Sequence, residues 1–343
     1  MQVKDALAKV VCGQNLDAAQ MAHVVGLFMD GEATPGQIGA FLTALRMKGE
    51  TVDEVVGAAQ AMRERMVRVA FDAPVVLDTC GTGGDGSGTV NVSTLATLLV
   101  AACGVPVAKH GNRALSSRSG SHDVLEALGV NPAPSKAEAE LCLREAGVAF
   151  LFAPLFHGAT KAVAQVRREL GFRTVFNVLG PLTNPAGARF HLNGVFAADR
   201  VSFLAEAHRK LGAVRALVVH GHGGLDEIAT AGATQVAELR EGVVSTYELR
   251  PADFGLAEHD PSGLAGGTPE VNAALLLETL QGKPGAIRAA AVMTAGAALY
   301  VGGGATSLTE GAQCAAEALD GGRALGVLTR LRALVPHVPT GAK

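Results

Sequence analysis

The chain has no tryptophan and only two tyrosines in 343 residues. That scarcity speaks against a surface of stacked aromatic rings, the kind that single-stranded nucleic acids use. Charge is also sparse. Charged residues make up 18% and the net charge is −3, so no global field draws the molecule onto nucleic acid or an anionic membrane. Any anion site has to be local. The five cysteines (Cys12, Cys80, Cys103, Cys142, Cys314) form no C-x-x-C pair. They indicate neither a disulfide framework nor a structural zinc site, and they suit a reducing cytoplasm. Long apolar runs are missing too. Residues 95–108 are too few to span a bilayer, and the Ala/Gly-rich stretch 289–301 reads as a buried helix. The opening residues, with Lys4, Asp5 and Lys9, do not look like a signal peptide. What the chain does have is an apolar share of 48%, enough for a well-filled core.

Periodicity divides the chain in two. The first 72 residues read as short helices. Asp17 with Gln20, Thr34-Pro35 with Gln37, and Thr51 with Glu54 carry the helix-start pattern in which a cap and a partner three residues on satisfy each other's backbone donors. Such helices should pack as a small bundle. From residue 73 the rhythm becomes strand and helix in turn. Strands are expected at 75–77, 105–108, 148–153, 192–197 and 216–220, and helices at 93–103, 123–128, from Ser135, and at 201–211. The alternation predicts an α/β fold with a mainly parallel sheet flanked by helices. Residues 235–239 and 243–249 predict an antiparallel hairpin, the last stretch returns to helix, and 255–267 reads as a loose loop.

The most informative stretch lies between the first strand and its helix. Five glycines (Gly81, Gly83, Gly84, Gly86, Gly88) fall within eight residues, so the backbone there can lie against an anion. The mononucleotide P-loop spacing fits Gly81 and Gly86, but Ser87 stands where a lysine is required. The dinucleotide pattern fits Gly81, Gly83 and Gly86, yet the next strand ends in Lys109-His110 and not in an acidic residue. A phosphate or diphosphate wrapped by amides is left, with Asn91, Ser93 and Thr94 adding donors at the helix start. Lys109-His110-Gly111-Asn112-Arg113 follows the second strand and should face this loop, with Lys109 and Arg113 supplying local positive charge. Taken alone it reads as a solvated basic turn. Asp226-Glu227, after the strand at 216–220, suits magnesium, which takes one or two carboxylates plus phosphate oxygens. Taken alone the pair is an ordinary exposed acidic turn.

Read together, Gly81-Thr-Gly-Gly-Asp85, Asn91-x-Ser93-Thr94, Lys109 through Arg113, Ala153-Pro154, His157, Arg167-x-x-Leu170-Gly171, Arg173-Thr174, Asn177-x-x-Gly180-Pro181-x-x-Asn184-Pro185 and Leu225-Asp226-Glu227 resemble the anthranilate phosphoribosyltransferase family along nearly the whole chain. The resemblance implies a helical domain (1–72, rejoined by about 160–187) and an α/β domain (73–343), in a homodimer that meets through the helical part. It implies transfer of the phosphoribosyl group of 5-phosphoribosyl 1-diphosphate to the amine of anthranilate, a step of tryptophan biosynthesis. It implies that Gly81, Gly84, Asp85, Thr89, Asn91, Val92, Ser93, Thr94, Lys109, His110, Gly111, Asn112, Arg113, Ala114, Leu115, Ser116, Ser117 and Ser121 hold the donor. Gly81, Asn112, Arg167, His110 and His157 would meet anthranilate. Ser93, Asp226 and Glu227 would serve magnesium, two ions per subunit.

No residue is needed as nucleophile or base, because a neutral aromatic amine can displace diphosphate once the leaving charge is neutralised. Without the resemblance, Arg167 reads as a surface arginine, and a helix-capping or core role suits His157 as well as a ligand role. Two relatives of the same fold are the competing readings. A pyrimidine nucleoside phosphorylase would carry Lys-His-Ser-Thr-Gly-Gly, which is absent. A non-catalytic nucleic-acid-binding relative sits badly with the net charge.

Overall fold

The computed structural model describes residues 1–113 and 119–338. Four helices come first: α1 (Val3–Val11), α2 (Ala18–Met29), α3 (Pro35–Lys48) and α4 (Val52–Arg65). The caps at Asp17, Thr34 and Thr51 close as their sequence predicts, each with its reciprocal partner. Glu54 does more than cap. Its fully buried carboxylate also accepts from the Leu16 amide at 3.0 Å and from Lys48 Nζ at 2.9 Å, which ties α3, α4 and the α1–α2 turn together. Helices α2 and α4 touch closely at Gly57, where a Cβ would stand 2.2 Å from the Ala18 carbonyl oxygen.

The rest is one seven-stranded sheet between helices. Its strands are β1 (Leu77–Asp78), β2 (Val107–Gly111), β3 (Val148–Phe152), β4 (Phe190–Gly194), β5 (Arg215–Gly221), β6 (Thr234–Arg240) and β7 (Val243–Leu249), in the order β3-β2-β1-β4-β5-β6-β7. The five strands from β3 to β5 are parallel, and β6 and β7 form the expected antiparallel hairpin. The helices are α5 (Val92–Ala102), α6 (Ser121–Ala127), α7 (Lys136–Ala146), α8 (Ala153–Phe156), α9 (Lys161–Leu170), α10 (Arg200–Lys210), α11 (Pro269–Leu280), α12 (Ala286–Val301), α13 (Leu308–Asp320) and α14 (Arg323–Leu334). Helix α12, the Ala/Gly-rich stretch, is buried as its composition predicts. Gly296 and Gly311 let α12 and α13 meet backbone to backbone. No described helix is long and apolar enough to cross a membrane.

Two apolar cores form. One fills the sheet and its covering helices around Leu77, Leu98, Leu151 and Leu299. The other joins the four N-terminal helices to Val163, Val166, Val175, Phe176 and Leu182, and continues into Leu204 and Val218. Residues 160–182 therefore pack with the helical bundle. The chain crosses between the two bodies in three neighbouring passages: the Val67 amide bonds the Phe156 carbonyl at 2.8 Å and the Val69 amide bonds the Pro185 carbonyl at 3.0 Å.

Three expectations need correction. Strand β2 runs through Lys109 and His110 instead of stopping at residue 108. Both faces of a central parallel strand are covered, so these polar residues are buried there, each 3% exposed. Strand β4 starts at Phe190, two residues before its expected position, and ends at Gly194. The stretch 255–267 is not loose. It contains the short turn Pro261–Leu264 and pairs with the end of the glycine loop through an antiparallel bridge between Thr89 and Ala265.

Candidate active site at the carboxyl edge of the sheet

The site grows from the ends of β1, β2, β4 and β5, the edge where parallel sheets bind ligands. Asp78, at the end of β1, fixes the geometry. Its Oδ1 accepts from the Cys80 amide at 3.0 Å and from the His110 amide at 3.1 Å, which locks the two strand ends together. Burial pushes this carboxyl up to about 6, against the pull of hydrogen bonds and Lys109.

Beyond Cys80 the chain enters the glycine loop. Gly83, Gly84, Gly86 and Gly88 all have positive φ, between 64° and 78°, where a side chain would be strained. Gly81 is needed for closeness: a Cβ would lie 3.3 Å from Asp226 Oδ2 and 3.3 Å from the Gly194 carbonyl oxygen. The loop is held along its length. Thr82 N–H bonds the Gly194 carbonyl at 2.9 Å. Asp85 accepts from the Ser87 amide at 3.2 Å and the Asp226 amide at 3.3 Å. Arg173 donates to the Gly84 carbonyl and stacks 3.9 Å from the Phe196 ring centre. In a trans peptide the next N–H points the opposite way from the carbonyl, so the Asp85 amide faces away from Arg173. The amides of Gly84, Asp85, Gly86 and Gly88 have no partner among the described residues. Gly84, Gly86 and Gly88 are exposed and Asp85 is half-buried, so this row of amides stands open at the sheet edge as a candidate anion cradle.

The acidic pair closes the site from β5. Glu227 Oε1 accepts from the Ser93 amide at 3.2 Å, which brings together the three residues expected to serve magnesium. Burial pushes the Glu227 carboxyl up to about 7, while Lys109 and Ser93 pull it down. Burial, then the charges of Glu227 and Asp85, hold Asp226 well above the usual carboxylate range. Three crowded carboxylates that Lys109 offsets only in part are what a divalent ion would relieve, so these residues fit magnesium. Among the described residues no group of three or more His, Cys, Asp or Glu could hold a metal unaided. The protein would thus give part of the shell and phosphate oxygens the rest. Gly194 and Gly221 make the turn possible, since a Cβ on either would run into the backbone of Asp226 or Glu227.

Lys109 reaches the site as a buried ammonium, its Nζ 2.7 Å from the Thr79 carbonyl oxygen. Arg113 does not provide the expected positive charge to the loop. Its guanidinium bonds Asp123 and Glu126 of α6, at 2.9 Å each, because two carboxylates stand closer than the cradle. The Thr94 hydroxyl is buried without a partner among the described residues. Val92 is buried, Thr89 pairs with Ala265, and Gly111 has Ser121 Oγ where its own Cβ would be, at 2.7 Å. Ser121 Oγ in turn bonds the Asn112 carbonyl at 3.4 Å. Ala114, Leu115, Ser116 and Ser117 lie outside the described residues.

A second wall comes from the segment that packs on the helical bundle. His110 and His157 stack with ring centres 5.0 Å apart, and each has a buried Nε2 without a partner. Burial lowers His110 to about 4 and His157 to about 3, so both are neutral. Arg167 is half-buried, donates to Asn177 Oδ1 at 3.5 Å and lies 5.5 Å from the Phe176 ring centre. It has no carboxylate partner among the described residues, and burial lowers its pKa. A desolvated guanidinium without a counterion is prepared for a carboxylate.

Sequence reasoning gave no role to Asp78, Arg173, Gly194 or Asn272. Asp78 and Gly194 carry a faint signal, an acid and a glycine closing apolar strands. Arg173 entered only through the Arg173-Thr174 motif of the resemblance, and Asn272 carries no signal of its own, since each acts on a distant segment.

The geometry agrees with known relatives. Models described as "Glycosyl transferase family, helical bundle domain" and "Glycosyl transferase family, a/b domain" match residues 4–66 and 73–325. The anthranilate phosphoribosyltransferase of Methylocella silvestris is 50% identical over 99% of both chains. That of Anaeromyxobacter sp. is 52% identical over 96% of this chain and 97% of its own. The crystal structure of the Thermus thermophilus enzyme superposes with a TM-score of 0.92 at 44% identity, covering 96% of this chain and 99% of that one. The Saccharomyces cerevisiae enzyme, solved in complex with PRPP and Mg, gives 0.87 at 29% identity over 97% of each. With this cradle, acidic pair and arginine wall in the same fold, the chain belongs to the anthranilate phosphoribosyltransferase family.

Proposed function

We propose that the chain transfers the phosphoribosyl group of 5-phosphoribosyl 1-diphosphate (PRPP) to the amine of anthranilate, releasing diphosphate, as a step of tryptophan biosynthesis. The observation that carries this reading is the union of free loop amides with the Ser93–Asp226–Glu227 cluster at one sheet edge. The glycine loop, Asn91 and Lys109 bind the donor, with Asn112 and Ser121 beside them. The carboxylate of anthranilate is assigned to Arg167, and its ring to the wall of His110 and His157.

Magnesium, two ions per subunit, would be held by Ser93, Asp226 and Glu227 and would neutralise charge on the departing diphosphate. The chain's own part is positional and electrostatic. Free amides and the Lys109 ammonium stabilise the growing negative charge. Arg167 fixes the acceptor so that its neutral amine faces the ribosyl carbon. The neutral histidines line the acceptor side without taking the proton that the amine must lose, which passes to the released diphosphate or to solvent.

We assign 1–72 with 160–187 to the acceptor wall and 73–343 to the donor side. The helical part is also proposed as the contact of a homodimer, which sedimentation would test by a mass twice that of the chain. The five free thiols suit a cytoplasmic setting.

The reading is tested by the product. Anthranilate, PRPP and magnesium should yield a compound heavier than anthranilate by one phosphoribosyl group, with one diphosphate released each time. Phosphate-dependent cleavage of pyrimidine nucleosides, with no such compound, would overturn it.

A further inference from the structure

We propose that Asn272 is a positioning residue for the phosphoribosyl donor and acts through Asn91. The inference rests on the functional reading above. Asn272 lies in the first turns of α11 and is 1% exposed. Asparagine is a poor helix former, and a buried amide needs partners, so its presence there calls for a reason.

The hydrogen bonds give one. Asn272 Oδ1 accepts from the Gly267 amide at 2.7 Å, and Nδ2 donates to Asn91 Oδ1 at 3.0 Å. A backbone N–H can only donate, so it fixes which end of the Asn272 amide faces Asn91. Asn91 must then present its oxygen to Asn272 and its nitrogen elsewhere. That nitrogen donates to the Ser119 carbonyl at 3.1 Å, and Ser119 Oγ donates back to Asn91 Oδ1 at 3.4 Å. An amide offers two N–H groups and two lone pairs. Both lone pairs of Asn91 and one of its N–H groups are used, and one N–H is left. Asn91 is the N-cap of α5, yet its side chain makes no capping bond. The single spare donor is therefore held at the helix start, beside the glycine loop.

The neighbouring backbone supports the same reading. Val90 N–H bonds the Leu264 carbonyl at 2.9 Å and Gly266 N–H bonds the Gly88 carbonyl at 2.9 Å. A Cβ on Gly266 would stand 2.9 Å from both Asn272 Oδ1 and the Thr89 carbonyl. Residues 261–272 are thus a buttress for the second half of the loop, and Asn272 extends it to a side chain. The chain Gly267–Asn272–Asn91–Ser119 joins three segments that are far apart in sequence.

The test uses the full-length enzyme with Asn272→Asp and Asn272→Ser, each alone and combined with Asn91→Ala. The aspartate keeps the acceptor for Gly267 and sets an oxygen against Asn91 Oδ1. The serine removes the reach to Asn91 without adding charge, and serves if the aspartate does not fold. In the wild-type background the donor KM should rise about tenfold, the loss of one buried hydrogen bond, and the anthranilate KM should change less than about twofold. In the Asn91→Ala background the same substitution should add less than about twofold, because residues in one network are not additive. An unchanged donor KM overturns the inference. So does an effect that persists in full without the Asn91 amide, since Asn272 would then be merely structural. If the wild-type chain itself fails to consume anthranilate, the functional reading fails and the inference falls with it.

Discussion

Arg167 is a cation without a counterion among the described residues, half-buried beside Asn177 and Phe176. Arg167→Ala should raise the anthranilate KM by roughly ten- to a hundredfold, the scale of a lost charged hydrogen bond, and leave the PRPP KM nearly unchanged. Equal effects on both substrates would remove its carboxylate role. At this scale the sequence spoke unevenly. The glycine loop was legible because glycine spacing carries its backbone freedom in its identity, whereas the Asp226-Glu227 pair drew notice only through its expected place on the same sheet edge. Lys109 and Arg113 look alike in the sequence, but one is buried on Thr79 and the other bound to α6. Only the extension of β2 by three residues, to Gly111, and the position of Asp123 and Glu126 separate them. Asn272 was invisible, because its partner lies 181 residues away.

Elements were legible in kind and less so in their ends. Capping boxes marked the helix starts because the cap and its partner sit within one turn. Strand ends moved because burial of a strand is decided by what covers it, which no local pattern records. The end of β4 shows the consequence. A Cβ on Gly194 would lie 1.5 Å from the Asp226 carbonyl oxygen, so Gly194→Ala should force the acidic turn off the strand end. We expect a loss of 1–3 kcal/mol, about the cost of overpacking, read as a lower denaturant midpoint at constant slope. Donor binding should weaken with it. A wild-type midpoint would mean that strand and turn are not in this contact. The stretch 255–267 was read as a loose loop for the same reason: Gly266 serves close approach to the Thr89 backbone, not mobility.

On the scale of the whole molecule, the division into bundle and sheet was plain from the change of periodicity, and the return of residues 160–182 to the bundle core was not readable from local pattern. The two bodies share a set of buried histidines whose effect is global. His191 and His208 stack 4.2 Å apart beneath the site, and His208 bonds Asn193 at 2.6 Å. Burial lowers His191 to about 3 and His208 well below its ordinary value, in company with His110 and His157. The unfolded chain binds these protons near pH 6.5 and the native one does so only much lower. Stability from them is therefore full above about pH 6.5 and declines as the pH falls, by at most about 1.4 kcal/mol per pH unit for each histidine. The raised carboxyls of Asp78, Asp226 and Glu227 act in the opposite sense over the same range, so the histidine share is read as a difference: from pH 7 to 4 the denaturant midpoint of the wild type should lose ground relative to that of His191→Phe with His208→Leu. Parallel profiles in the two chains would show that His191 and His208 are not buried neutral. The central claim, that the acidic pair and the loop together drive transfer to anthranilate, has a direct measurement. Anthranilate fluorescence is followed with and without PRPP and magnesium, in the wild type and in a chain carrying Asp226→Asn with Glu227→Gln. The account predicts loss of fluorescence only in the wild type with both additions, and a double variant that is folded and inactive. Steady fluorescence in the wild type, or unimpaired turnover in the double variant, would contradict it.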